Sequence, residues 1–331
     1  MAQIVLGVGT SHTPQLSTSI DWWHDHAARD RRNPFLIGRD GEVHDYDDLL
    51  AVPEWRVPPE RLTPEVWTAL HDRSQECLRL LSAALAEAMP DVVVVIGDDQ
   101  DEMFLDDGQP TFAVFWGEEV FDIPLSSTKR ESMPAGLLAA SWAAHGEVVE
   151  KYPVPGSLGR HIISELVTDE FDVAALSRQP AGRSLGHAFT FVRRRLMGEE
   201  MIPLLPVALN AYNPPNQPTP RRCFQFGRSL RRAIESYPED VKVAVVASGG
   251  LSHFVVDEEL DRRVLKALQE RDVDSLTTVP RRCMRSGTSE TLNWIAAGGA
   301  LEHLSMEVVD YLPAYRSEAG TGVGMCFALW R

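Results

Sequence analysis

Three stretches of the 331-residue chain place imidazole or carboxylate side chains directly after an apolar run. His12 follows QIVLGVG in GTSHTP, His253 follows VKVAVVA in SGGLSHF, and Asp98, Asp99, Asp101 and Glu102 crowd around Gln100 after VVVVIG. A fourth residue, Glu290, stands in the first turn of an otherwise apolar helical stretch, SGTSETLNWIAAGGA. Each has an ordinary explanation by itself: a hydrogen-bonded histidine, a solvated acidic loop, or an acid favoured by the dipole at a helix N-terminus. Together they suggest chemistry. Two histidines share the same Ser-His placement after a glycine turn, and a carboxylate lies on a third element. Two imidazoles and one carboxylate would match the facial triad of a non-haem Fe(II) oxygenase, which leaves positions open for a chelating substrate and dioxygen.

Such residues converge only if the elements carrying them do. Four valines and an isoleucine from Val92 to Ile96 read as a strand buried on both faces, as in a parallel sheet. Open α/β sheets bind ligands at the carboxyl ends of their strands, where the residues following 96 must emerge. Further strands are expected at 3–9, 111–116, 171–176, 202–209 and 241–247. Helices are expected from Thr63 to Pro90, which opens with a Thr-Pro start, and at 157–170, 187–197, 222–236, 257–271 and 288–297. NAYNPPNQPTP reads as a rigid loop, not a linker. Residues 17–60, rich in charge, Trp and Pro without a sustained period, read as an irregular insertion or a lid over the sheet edge, with a partner-binding segment as the alternative. The alternation of strands and helices predicts one large layered α/β domain over 1–331, its central sheet largely parallel or mixed and flanked by helices.

Composition narrows the partners. A formal charge of −16 opposes nucleic acid and anionic membrane surfaces, and no run of about 18 apolar residues could span a bilayer. The start, MAQIVLGVGT, lacks the basic region and cleavage site of a secretory signal, so a cytoplasmic location is expected. Cys77, Cys223, Cys283 and Cys326 form no CxxC pair and read as reduced core or surface residues.

The chain resembles the class III extradiol ring-cleavage dioxygenases, the family of the protocatechuate 4,5-dioxygenase β subunit and the gallate and 3-O-methylgallate dioxygenases. The resemblance rests on TSHTP, PTFAVFWGE, EFDVAAL, RRCFQFGRSLRRAIESYPEDVKVAVVASGGLSHF and SGTSETLNWIAAGGAL, which together run over most of the chain. It implies Fe(II) as cofactor, a catechol-type substrate resembling gallate, 3-O-methylgallate or protocatechuate, and O2 as co-substrate, both of whose atoms are inserted. It also implies paired subunits. His12 and Glu290 would be iron ligands, His253 the acid/base histidine, and His187 of LGHAFTF a second active-site histidine. The departure is at Gln100, which stands where the family's NDHxxxF motif has its second iron-ligating histidine. Three readings follow: Gln100 ligates through its oxygen; Asp99, Asp101 or Glu102 takes the position; or a histidine of the insertion, such as His44, supplies a nitrogen. Two rival functions keep the fold: a binding or signalling module with a variant metal site, and a zinc-dependent hydrolase.

Overall fold

The computed structural model describes residues 1–331, and its centre is a nine-stranded sheet. In chain order the strands are β1 (Gln3–Thr10), β2 (Val92–Asp98), β3 (Phe112–Phe115), β4 (Ala174–Leu176), β5 (Leu204–Leu209), β6 (Lys242–Ser248), β7 (His253–Val255), β8 (Met306–Tyr315) and β9 (Thr321–Trp330). They lie in the order β7-β9-β1-β6-β2-β5-β3-β4, with β8 also paired to β9. The middle four, β1, β6, β2 and β5, are mutually parallel, whereas β3, β7, β8 and β9 bring antiparallel pairings. The sheet is therefore mixed, within the range the sequence allowed.

The principal helices are α1 (Trp23–Asp30), α2 (Pro64–Ala88), α3 (Gly156–Thr168), α4 (His187–Leu196), α5 (Pro220–Glu235), α6 (Glu258–Glu270) and α7 (Thr291–Leu301). Thr63 caps α2 through a hydrogen bond from the Val66 amide, with Pro64 at its first position, as the sequence signature requires. Alternation along β2 shows that helices cover both faces. A Cβ on Gly97 would meet Ala188 of α4, while Asp98, the next residue, points the other way to Asn293 of α7. Every residue of α7 is buried. It lies close to β1 because Gly9 leaves room for the Trp294 ring, and close to α5 because Gly227 and Gly299 let the two backbones approach. One cluster of 80 buried apolar residues draws on nearly all these elements, so a single core organises the chain.

The C-terminal strands β8 and β9 were not anticipated. Their ten residues each form an antiparallel hairpin that closes the β1 side of the sheet and supplies the pairing partner for β7. Residues 17–60 are also more regular than their composition suggests. They contain α1, a two-stranded hairpin (Leu36–Ile37 with Val43–His44) and a helix at Tyr46–Leu50 with a capping box at Asp45. Trp23 is fully buried against Trp67, Asp30 forms a buried ion pair with Arg316 at 2.8 Å, and a small second core joins Leu36, Tyr46 and Leu49 to Val255 and Ala319. No helix is long and apolar enough to cross a membrane.

Candidate metal centre and substrate cavity

β1, β6 and β2 are neighbours in the sheet, with Thr10 beside Ser248 and Ala247 beside Ile96, so their carboxyl ends open on one edge. His12 lies two residues beyond β1, Asp98 ends β2, and the turn after β6 leads to His253 at the start of β7. Glu290 ends the short 3-10 turn Ser286–Glu290 that leads into α7. The helix expected at 288–297 begins as α7 at Thr291, so Glu290 stands at its N-cap position instead of within its first turn. Positive-φ glycines shape the loop between β6 and β7: Gly249 (φ 128°) and Gly250 (φ 58°) let the chain reverse, and the Gly250 amide donates to Glu290 Oε2 at 2.6 Å.

Ligand atoms of His12, Asp98 and Glu290, all buried, lie within 4.8 Å of one another. Ser248 Oγ donates to the Ala188 carbonyl at 2.7 Å and therefore accepts from His12 Nδ1 at 3.0 Å. This places the imidazole proton on Nδ1 and leaves the Nε2 lone pair facing Glu290 Oε2, 3.2 Å away. Burial raises the Asp98 carboxyl, and the adjacent Glu290 raises it further. Burial would also raise Glu290, but His253 and His12 outweigh it and hold that carboxyl well below its usual range. Two buried carboxylates and one correctly tautomerised imidazole form a donor set that fits a divalent first-row cation.

Gln100 reaches this cluster through its amide nitrogen. Its Nε2 donates to Glu290 Oε1 at 2.9 Å and Asp98 Oδ2 at 3.1 Å, so the amide bridges the two carboxylates. The other acids of the motif turn away. Asp99 accepts from the Glu102, Met103 and Phe104 amides, Asp101 pairs with Gln109 and Asn213, and Glu102 accepts from the backbone and ring of His187. His44 bonds Asp40 beside Trp55 and does not line the cavity.

Above the cluster is a cavity of ≈ 300 Å³. His12, Gln100, His187, His253 and Glu290 all line it, together with Met133, Leu137, Phe191 and Phe254. His253 Nδ1 donates to the Leu251 carbonyl at 2.8 Å, leaving Nε2 3.1 Å from Glu290 Oε1. Gly287 is small because a Cβ there would run into the His253 ring. His253 is raised despite burial, because Glu290 favours the imidazolium. His187 Nδ1 meets Glu102 Oε2 at 2.8 Å and its Nε2 lies 3.1 Å from His12 Nε2. Burial opposes the charge on His187, but Glu102 outweighs it and lifts the pKa to about 10.

Thus His12, His187, His253, Glu290 and Gln100 do assemble. Sequence reasoning did not single out Asp98 as the second carboxylate, nor Asn293, which donates to it at 3.1 Å. Asn293 had a signal: it follows Glu290 by three residues, the spacing that puts two side chains on one face.

The chain matches the family model described as the catalytic LigB subunit of aromatic ring-opening dioxygenase over residues 64–325. It is 44% identical over 111 residues to a gallate dioxygenase of Pseudomonas putida, an alignment covering 32% of this chain and 31% of that protein. It is 26% identical over 173 residues to a 2,3-dihydroxyphenylpropionate/2,3-dihydroxicinnamic acid 1,2-dioxygenase of Comamonas testosteroni, covering 52% of this chain and 46% of the relative. The matched stretches thus span less than half the length of either relative.

Proposed function

Since the chain belongs to the LigB family of catalytic subunits of aromatic ring-opening dioxygenases, we propose that it is a non-haem Fe(II)-dependent extradiol dioxygenase acting on a catechol-type substrate, gallate-like or protocatechuate-like. The observation that supports this most directly is the convergence of His12, Asp98 and Glu290 beneath a cavity that also holds His187 and His253. In this reading His12, Asp98 and Glu290 hold the metal, and Gln100 fixes the two carboxylates by donating to both. Bound there, divalent iron would supply Lewis acidity toward two adjacent phenolic oxygens and the redox capacity that dioxygen chemistry needs.

The chain's own groups do the rest. Phe191, Phe254, Met133 and Leu137 offer an apolar slot to the ring and keep water from it. His253, anchored through Nδ1, presents Nε2 to accept a phenolic proton and later return it. His187, kept charged by Glu102, presents an Nε2 proton to developing negative charge on oxygen. Overall, the ring C–C bond beside the diol breaks and one oxygen atom ends on each of the separated carbons. The ring supplies the electrons that reduce O2, so no external reductant is required. Residues 17–60 roof the cavity as a built-in lid.

Anaerobic reconstitution with Fe(II), followed by oxygen uptake on gallate, 3-O-methylgallate, protocatechuate and simple catechols, tests the proposal. One molecule of O2 consumed per ring opened, with at least one substrate, is the expected result. No uptake with any catechol, together with tight retention of zinc, would overturn it.

A further inference from the structure

The roof of the cavity carries two polar groups for which the protein provides no partner. His26 and Arg29, both on α1, line the cavity together with the metal-binding residues His12 and Glu290. His26 is only 2% exposed, and its Nε2 has no hydrogen-bond partner. The half-buried Arg29 guanidinium makes no hydrogen bond or ion pair, although two acids lie on the same helix. Those acids are engaged elsewhere: Asp25 accepts from the Gly136 amide at 2.9 Å, and Asp30 holds Arg316 at 2.8 and 3.2 Å.

The other charged groups on the cavity wall do not compensate Arg29. Arg316 is committed to Asp30 and Gln15, and Lys129 is exposed and adds positive charge. Glu102 is held by His187, and Glu290 by the Gly250 amide, His253 and Gln100. Burial, aided by Arg316 and Arg29, lowers His26 to about 4, so its ring is neutral at pH 7 and carries a single N–H. An unpaired half-buried cation beside an unsatisfied buried imidazole is costly in a finished interior. A ligand that supplies acceptors and negative charge removes the penalty at Arg29.

We propose that Arg29 forms a subsite for a carboxylate carried by the aromatic ring. The Arg29 fork matches a planar carboxylate in two parallel hydrogen bonds. At ≈ 300 Å³, the cavity suits a single substituted ring. The identity of the ring as a catechol rests on the dioxygenase reading. The charge preference does not.

Two measurements separate these claims. In the first, benzoate and benzamide are titrated calorimetrically into the metal-free protein and into R29M and R29K. The wild type should bind benzoate about 10–100-fold more tightly than benzamide, the range of one charged hydrogen-bonding group. R29M should abolish that ratio, and R29K, which keeps the charge but loses the fork, should restore part of it. In the second, kcat/KM for 3,4-dihydroxybenzoate is compared with that for its amide in Fe(II)-loaded protein, and R29M should reduce the acid-to-amide ratio by a similar factor. Equal wild-type binding of benzoate and benzamide, or an R29M variant that weakens both by one factor, would overturn the subsite. Selective benzoate binding without cleavage of any catechol would support the subsite and overturn the dioxygenase reading instead.

Discussion

On the floor of the cavity, Asp98, Glu290, His12 and His187 each hold a protein partner, whereas on the roof His26 Nε2 and the Arg29 guanidinium hold none. The floor rests on parallel strands whose ladders fix where each chain emerges, and its side chains are further locked by Ser248, Asn293, Gln100 and Glu102. The roof residues His26 and Arg29 lie on the short helix α1, which is tied down at a few points, including Trp23 and the Asp30–Arg316 pair. The difference teaches how the two parts divide the work. The floor's geometry is set before anything binds, as metal chemistry requires. The roof keeps unspent hydrogen-bonding capacity, which is what selection among ligands requires.

The largest test of the comparison lies in the floor's charges. E290Q and D98N should each weaken Fe(II) retention by more than the roughly 10–100-fold that loss of an outer-shell partner costs, read as metal content after dialysis. Q100A should fall within that smaller range. A Q100A loss as large as that of D98N would make Gln100 itself a ligand. The next effect concerns His253: H253Q should lower kcat about 10²–10⁴-fold while the iron stays bound. Loss of iron along with activity would move His253 from proton transfer to ligation.

The smallest effect lies behind the floor, at Asp261 on α6. It accepts from the Ser252 amide and hydroxyl and from the Tyr311 hydroxyl, and so props the turn that carries His253. Burial pushes its carboxyl up from 3.8 to about 7. Because the folded value exceeds the unfolded one, the folded chain holds this proton more tightly. The resulting stability is complete below about pH 4 and is lost as pH rises through 7. Wild-type unfolding free energy should therefore fall across that window, with a ceiling of roughly 4 kcal/mol from this group, and D261N should flatten the profile in pH-resolved urea denaturation. An unchanged slope in D261N would remove Asp261 as the cause.

Much of the floor was legible from local pattern. The β-branched run at 92–96, the glycine turn before Ser-His-Phe and the apolar stretch after Glu290 each reported their own element, and three strand ends on one sheet edge implied convergence. The choice among consecutive acids was less so. β2 continues to Asp98, and alternation sends Gly97 toward α4 and Asp98 toward α7; one residue later the chain turns, and Asp99 spends its oxygens on three backbone amides. A strand's exact end is set by its neighbours' register, here Asp98 against Leu209 of β5, which lies 111 positions away in a different part of the sequence.

The roof marks the other limit. No period announces 17–60, because its order comes from partners such as Trp67, Arg316 and Val255. The sequence by itself determined the layered α/β class, the strands that carry the site, and His12, His253 and Glu290 as residues worth bringing together. Only the tertiary structure decided that Asp98 lies beside His12 and Glu290, that the Gln100 amide bridges two carboxylates, and that Arg29 lines the cavity without a partner. The physical reason is range. Periodicity and turn chemistry act over a few residues, whereas side-chain direction, burial and the satisfaction of a polar group depend on elements that meet only once the chain has folded.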